Sequence, residues 1–383
     1  MNIPKLRFKE FTDEWCNKKF DDLIDIKSNT YNPIKSNINY RCIELEHINQ
    51  NSGTINGFIN SNEQKSNKIF FKKGDVLFSK LRPYLRKYWL AEFDGVCSSE
   101  IWVAKSKNDK LINNKFIFDI FQSNYFLQLC NLSTGSKMPR ADWTFIKEQS
   151  TPIPLLNEQL KIANFLNLLD KKIELQTEKI EALKLFKLSI TQNIFNEKKS
   201  NDFQSVTLGK ILKPGSKIPV KNTSEYEKLT VKLNFKGLAK LETKKEMADT
   251  RPFYVRNENE IIIGKQNYFN GSIAKVTKDF KGCICSNAIM SFTTINGVNV
   301  DYVLYYLSQK NYINRRKFLA NGTGQKELSE KEFLKFVIKL PSTQIQNNIS
   351  KKISCVSNLL LLENKKLTTL KNLKKGLLQN LFI

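Results

Sequence analysis

The chain has 383 residues, of which 40% are hydrophobic and 26% charged, a balance that excludes wholesale disorder and leaves room for two domains with separate cores. Lys and Arg total 62 against 37 Asp and Glu, and the net charge of +25 favours an anionic partner, nucleic acid before membrane. No run of about 20 apolar residues exists, and the opening "MNIPKLRFKEF" has no signal-peptide core, so a cytoplasmic protein away from the membrane is expected.

In chain order, residues 1–153 form a first domain of mixed α and β. "KIFFKKGDVLFSK" reads as strands bounded by Gly and Asn turns, and "NNKFIFDIFQSNYFLQLCNL" as an aromatic-rich helix. The densest basic stretch, "FSKLRPYLRKYW", supplies Lys80, Arg82, Tyr84, Arg86, Lys87 and Tyr88, with Pro83 expected to hold it extended. The loop "TGSKMPR" adds Lys137 and Arg140.

Residues 154–198 follow as one long helix. Its apolar stripe runs through Ile162, Leu166, Leu169, Ile173, Ile180, Leu183, Phe186, Ile190 and Ile194 at helical steps of three, four or seven, with Gln176 as a polar interruption. The polar "NEKKSNDFQ" is a natural hinge before a second domain, residues 199–340. Here "NEIIIGKQNYF" reads as a strand and offers Lys265, Gln266, Asn267 and Tyr268. "VDYVLYYLSQKNYINRRKFLA" reads as a helix carrying Arg315 and Arg316, and "GTGQK" adds Lys326. Residues 341–383 form a second long helix, striped by Ile349, Ile353, Val356, Leu360, Leu367, Leu370, Leu373, Leu377 and Leu381 and interrupted at Glu363.

The chain repeats itself. The two long helices align without a gap, "SITQNIF" from Ser189 matches "GLLQNLF" from Gly376, and Gln159 matches Gln346. Upstream, "EWCNKKFDDLIDI" is echoed by "DFQSVTLGKIL", setting Trp15 against Phe203 and Phe20 against Leu208. "GDVLFSK" is echoed by "NEIIIGK", "GVCSSEIWV" by "GCICSNAIMSF", and "STGSKMPR" by "NGTGQKEL". Helices this long exceed those of compact domains, and each stripe needs a partner. An antiparallel pair is therefore favoured over two separate core helices, through Ile162, Leu169, Ile173, Gln176, Ile180, Leu183 and Ile190 on one side. The other side offers Ile349, Val356, Leu360, Glu363, Leu367, Leu370 and Leu377.

Catalytic chemistry finds little purchase. His47 is the sole histidine and has no adjacent nucleophile, so a hydrogen-bonding role is expected. The seven cysteines contain no C-x-x-C, and Cys283 with Cys285 lacks a nearby His for zinc, so reduced and mostly buried thiols are expected. Neither a phosphate-loop motif nor a methyltransferase tetrad occurs, and Asp75, Asp94 and Glu100 read as turn and solvated positions rather than a magnesium site. Basic residues interleaved with aromatics and amides suit phosphate neutralisation and base-edge reading. Three classes remain open: a sequence-reading DNA-binding subunit; a nuclease or methyltransferase, which lacks its motifs; and a coiled-coil adaptor that binds RNA or anionic lipid without readout.

The segments "PKLRFKEFTDEW", "GDVLFSKLRPYLRKYWLA", "STGSKMPRADW" and "PIPLLNEQLKIANFLNLLDKKIELQTEKIEALK" resemble the specificity subunit of type I restriction-modification systems. The likeness covers essentially the whole chain, its second half mainly through the repeat. It implies an α+β fold of two tandem, pseudo-twofold-related target-recognition domains joined by two long antiparallel helices in a coiled-coil stalk. Each domain would bind one half of a split, asymmetric double-stranded DNA site, and the helices would set the spacer. The resemblance further implies no catalysis and no cofactor in this chain. It implies two modification subunits carrying S-adenosylmethionine and methylating adenine, and restriction subunits using ATP and Mg.

Overall fold

A computed structural model describes residues 3–27, 29–132, 138–195, 203–241, 251–320 and 327–382. The chain folds as two compact units: Met1–Glu178 with Asn364–Ile383, and Lys179–Glu363. The division runs through the middle of both long helices, Leu156–Ile194 and Thr343–Leu381, rather than at their ends. Each half-helix buries its seam within the unit it belongs to, which is why the helices do not separate as bodies of their own.

In the first unit a four-stranded antiparallel sheet has the order Ile24–Asp25, Ile101–Ser106, Val76–Ser79, Tyr88–Leu90. Its inner face meets aromatic helices: Phe78 stacks on Trp102 and lies edge-on to Phe121 and Phe126. A five-stranded sheet, Thr30–Tyr31, Lys68–Phe71, Gly95–Ser98, Arg41–Ile43, Ile59–Asn60, lies beyond it. The second unit repeats the first sheet strand for strand in the order Leu212–Pro214, Ile289–Thr294, Ile261–Gly264, Ile273–Lys275. Phe20 and Leu208, paired by the sequence repeat, are both fully buried and both open a short helix.

Each aromatic segment expected as one helix is broken. In the first unit Asn114–Gln122 and Asn124–Leu132 are separated at Ser123, whose hydroxyl accepts the Phe126 amide at 3.1 Å. In the second, Val300–Leu307 and Lys310–Asn314 are separated at Ser308, whose hydroxyl donates to the Leu304 carbonyl at 2.7 Å. A serine that bonds the local backbone competes with the helix ladder.

The seams alternate in steps of four and three without interruption, the 3.5-residue period of a left-handed pair. In the first helix they run Ile162, Leu166, Leu169, Ile173, Gln176, Ile180, Leu183, Lys187, Ile190, Ile194. The second runs Ile349, Ile353, Val356, Leu360, Glu363, Leu367, Leu370, Lys374, Leu377, Leu381. Two members of the expected stripes are corrected: Phe186 and Leu373 are more than half exposed, and Lys187 and Lys374 take their places. Inside the first unit the helix halves run antiparallel, with Ile162, Leu166 and Leu169 sharing a core with Leu370, Leu377 and Leu381, and Lys374 Nζ 2.6 Å from Asp170 Oδ1. Inside the second, Lys179 Nζ reaches Glu363 Oε1 at 2.6 Å, and Ile194 and Phe195 share a core with Ile349 and Ile353.

The identities that survive between repeats are anchors. Gln159 is fully buried, accepts the Asn113 amide at 3.1 Å and donates to the Leu111 and Pro154 carbonyls. Gln346 accepts the Asn299 amide at 2.9 Å and donates to Pro341. Phe382 packs on Phe116 in one unit, and Phe195 on Tyr302 and Tyr306 in the other, so both helix ends dock in the same manner.

Candidate nucleic-acid interface

All four residues of Val76–Ser79 are buried, so the basic residues that follow fall on the loop joining this strand to Tyr88–Leu90. The expected extended conformation around Pro83 is not found. Pro83–Leu85 forms a 3₁₀ turn, because the fixed φ of proline suits a first helical position. On either side Arg82 and Arg86 adopt left-handed backbone, at φ 52° and 51°. Such backbone persists in non-glycine residues only where neighbours hold it. Here the Arg82 amide donates to the Pro139 carbonyl at 2.8 Å, and the Asn51 amide to the Arg86 carbonyl at 2.9 Å.

The side chains divide into braces and exposed groups. Arg86 Nη2 donates to Asn124 Oδ1 at 2.7 Å, and Lys87 Nζ donates to the Leu45 carbonyl. Arg140 grips Glu100 through two bonds of 3.0 and 3.2 Å, which raises its already high pKa. Arg82 and Tyr84 are exposed, and Lys80 is half-buried. Asn124, which orients Arg86, lacked any local signal in the sequence.

The second unit builds its loop on the same backbone frame. The Lys80 amide donates to the Glu100 carbonyl and its carbonyl accepts from Ala141; the Lys265 amide donates to Ala288 and its carbonyl accepts from Leu328. The next residues, Asp142 and Ser329, each cap a short helix, by accepting the amides of Thr144 and Glu332. The chemistry on this frame differs. Gln266 is exposed, Asn267 is half-buried, and Lys265 faces Glu327 at 3.8 Å where the first unit has Arg140.

Two of the sequence-derived candidates belong elsewhere. Tyr268 is 0% exposed, packs on Phe333 and Phe336, and donates to the Leu307 carbonyl at 3.1 Å. Burial pushes its phenol well above the usual range, and it is a core residue, not a DNA contact. Arg315 and Arg316 fall beyond the end of Lys310–Asn314 rather than within a helix. Arg316 lies 3.6 Å over Tyr312 and donates to the Tyr312 carbonyl at 3.1 Å, which makes it a brace, whereas Arg315 is exposed. Lys137 and Lys326 lie outside the described residues.

His47, Asp75 and Asp94 have structural partners. His47 Nδ1 accepts the Glu44 amide at 2.9 Å, Asp75 accepts the Lys72 amide and Asp94 the Lys73 amide. Among the described residues no cluster of three or more His, Cys, Asp or Glu could hold a metal ion, and no helix is long and apolar enough to cross a membrane.

The profile of the type I restriction modification DNA specificity domain matches this chain twice, over residues 12–185 and 197–372. The chain belongs to that family. Among relatives of this specificity family, the EcoDI type I restriction enzyme specificity subunit of Escherichia coli is 31% identical over 170 residues, which span 42% of this chain but only 36% of that one. A putative MjaX specificity subunit of Methanocaldococcus jannaschii is 20% identical across 98% of this chain and 95% of its own length. The fold matches the S subunit of a type I restriction-modification system from M. genitalium with a TM-score of 0.65 at 19% identity, covering 100% of this chain and 99% of that one. A chain from a type I R-M complex study gives 0.57 at 17% identity, covering 95% and 96%.

Proposed function

We propose that this chain is the DNA-reading subunit of a type I restriction-modification complex, each domain reading one half of a bipartite, asymmetric site. The observation that carries the reading is one frame bearing two chemistries. Lys80 and Lys265 occupy equivalent backbone positions, while the surrounding tips differ, with Arg82, Tyr84 and Arg140 in one and Gln266, Asn267 and Glu327 in the other. A shared frame fixes where a loop meets the duplex, and different side chains at its tip select different bases.

In this reading the chain supplies no catalysis. Two modification subunits bring S-adenosylmethionine and methylate adenine, and restriction subunits bring ATP-driven cleavage. Leu175 and Leu362, at matching positions of the repeat and both exposed, support two equivalent docking places on the helices. Cytoplasmic residence follows from the substrate.

Adenine methylation mapped across the host genome, with and without this gene, tests the proposal. A gapped, asymmetric motif should vanish with the gene, and replacing residues 200–340 with those of a relative should change one half of the motif only. Methylation that persists, or a swap that alters both halves, overturns it. Equal competition by unrelated duplexes would favour the adaptor that binds without readout.

A further inference from the structure

The turn Pro83–Leu85 has a feature that phosphate contact does not explain. Pro83 is buried, the left-handed Arg82 and Arg86 bend the chain sharply on both sides, and the residue at the apex, Tyr84, is 53% exposed. Among the described residues the Tyr84 ring packs on no other aromatic ring and its hydroxyl has no hydrogen-bond partner. Arg82, two residues before Tyr84, is exposed, and so is Met138, which precedes the Pro139 whose carbonyl accepts the Arg82 amide. A large, flat, partly apolar side chain thus projects from a basic loop whose backbone is held on both sides of the turn.

The second unit supplies the contrast. Its equivalent turn, Tyr268–Asn270, closes with Gly271 at φ 77°, a position where left-handed backbone costs little. Its aromatic residues point inward: Tyr268 is in the core, and Phe269 packs against the same cluster. The same frame therefore carries a projecting ring in the first domain and a retracted one in the second. At this turn the first copy keeps left-handed arginines where the second has Asn267 and Gly271, and such retained strain motivates a role for the projecting tip.

Resting on the DNA-reading assignment above, we propose that Tyr84 is a wedge that enters a base step of the first half-site and unstacks it, while the second half-site stays stacked. The chemistry fits double-stranded DNA. The Arg82 cation neutralises flanking phosphate, and the ring replaces the stacking that a parted base pair loses. Discrimination would then depend in part on how easily the step opens, which favours pyrimidine–purine steps at that position.

The test uses the full chain with its modification subunits on a duplex carrying the mapped site. 2-Aminopurine replaces the adenines other than the methylated ones, and pyrrolocytosine the cytosines, one at a time on either strand of both half-sites. Binding should raise the fluorescence several-fold at one step of the first half-site and at none of the second. Tyr84→Ala should abolish that rise and weaken specific binding about tenfold, the scale of one aromatic–base stack, whereas Tyr84→Phe should retain both. Arg82→Ala should instead lower affinity for all duplexes and reduce the salt dependence of binding. Specific binding with no fluorescence rise, or a rise that survives Tyr84→Ala, overturns the wedge. A rise in both half-sites overturns its asymmetry. Equal binding to site and non-site duplexes overturns the assignment on which it rests, and the wedge with it.

Discussion

Asp119 is a buried carboxyl whose proton ties stability to pH. It lies in the helix Asn114–Gln122, and its Oδ2 has no hydrogen-bond partner among the described residues. Nearby, Lys374 Nζ donates to Asp170 Oδ1 and to Gln122 Oε1, both at 2.6 Å, so one lysine faces two carboxyls. Burial pushes the Asp119 carboxyl well above the carboxylate range, against the opposing pull of Lys374 and with a smaller push from Asp170. The folded state then binds a proton that the unfolded chain releases near pH 4. The stabilisation is complete below that value and is lost as pH rises toward the folded pKa, at about 1.4 kcal/mol per pH unit. Asp119→Asn keeps the shape without the titration, so it should flatten the decline and leave the variant more stable than the parent at pH 7. Denaturant midpoints between pH 5 and 8 measure this, and parallel slopes for the two proteins would contradict it.

At the scale of one element, the long helix Leu156–Ile194 shows what a seam reveals to a sequence reader and what it hides. The stripe is legible because eight of its apolar residues recur at helical steps, yet hydrophobicity alone points to Phe186 as the step after Leu183. The strict alternation of four and three places Lys187 there instead, half-buried, while Phe186 is 54% exposed. The error has a physical source: lysine buries its stem along a seam and keeps its head near water, so charge conceals the period. The same bias turned Tyr268 into a surface candidate, since aromatic residues beside a basic loop suit DNA and core equally well. By contrast the paired frame of Lys80 and Lys265 was legible through the repeat, because both copies keep the strand–loop register even where identities have gone. The left-handed turn at Arg82 and Arg86 was not, as nothing local distinguishes an arginine held by a distant carbonyl. Burial lowers the Lys187 pKa, and among the described residues it has no acidic partner. Lys187→Leu should therefore complete the seam and stabilise the full chain by about 1 kcal/mol, less than the full burial of a leucine. A lowered unfolding midpoint would return Lys187 to a role that the seam does not supply.

For the whole molecule, the repeat makes a prediction in which the same substitution acts with opposite sign. A fragment of residues 1–200 holds the first domain and one complete long helix, and in the intact chain the first domain also packs residues 364–382 of the other. A second copy of the fragment can supply the missing stretch, because Leu183, Ile190, Ile194 and Phe195 match Leu370, Leu377, Leu381 and Phe382 position for position. The match extends to polar groups. Lys187 takes the place of Lys374, within reach of Asp170 and Gln122, and Asn193 takes the place of Asn380, whose carbonyl accepts the Leu6 amide at 2.9 Å. Antiparallel exchange of identical surfaces is isologous, so the product should be a closed two-fold dimer. With modification subunits it should methylate an interrupted palindrome whose halves both equal the half-site of the first domain. Position 170 in the first helix corresponds to Ser357 in the second, so in the intact chain Lys187 has no carboxylate partner among the described residues, whereas in the dimer it would meet Asp170. Lys187→Leu should accordingly stabilise the full chain yet weaken the fragment dimer, where it strands Asp170 without its cation. Sedimentation of the fragment and its variant at micromolar concentration decides the point: a monomeric parent fragment rules out the exchange, and a variant that dimerises more tightly rules out the Lys187–Asp170 pairing.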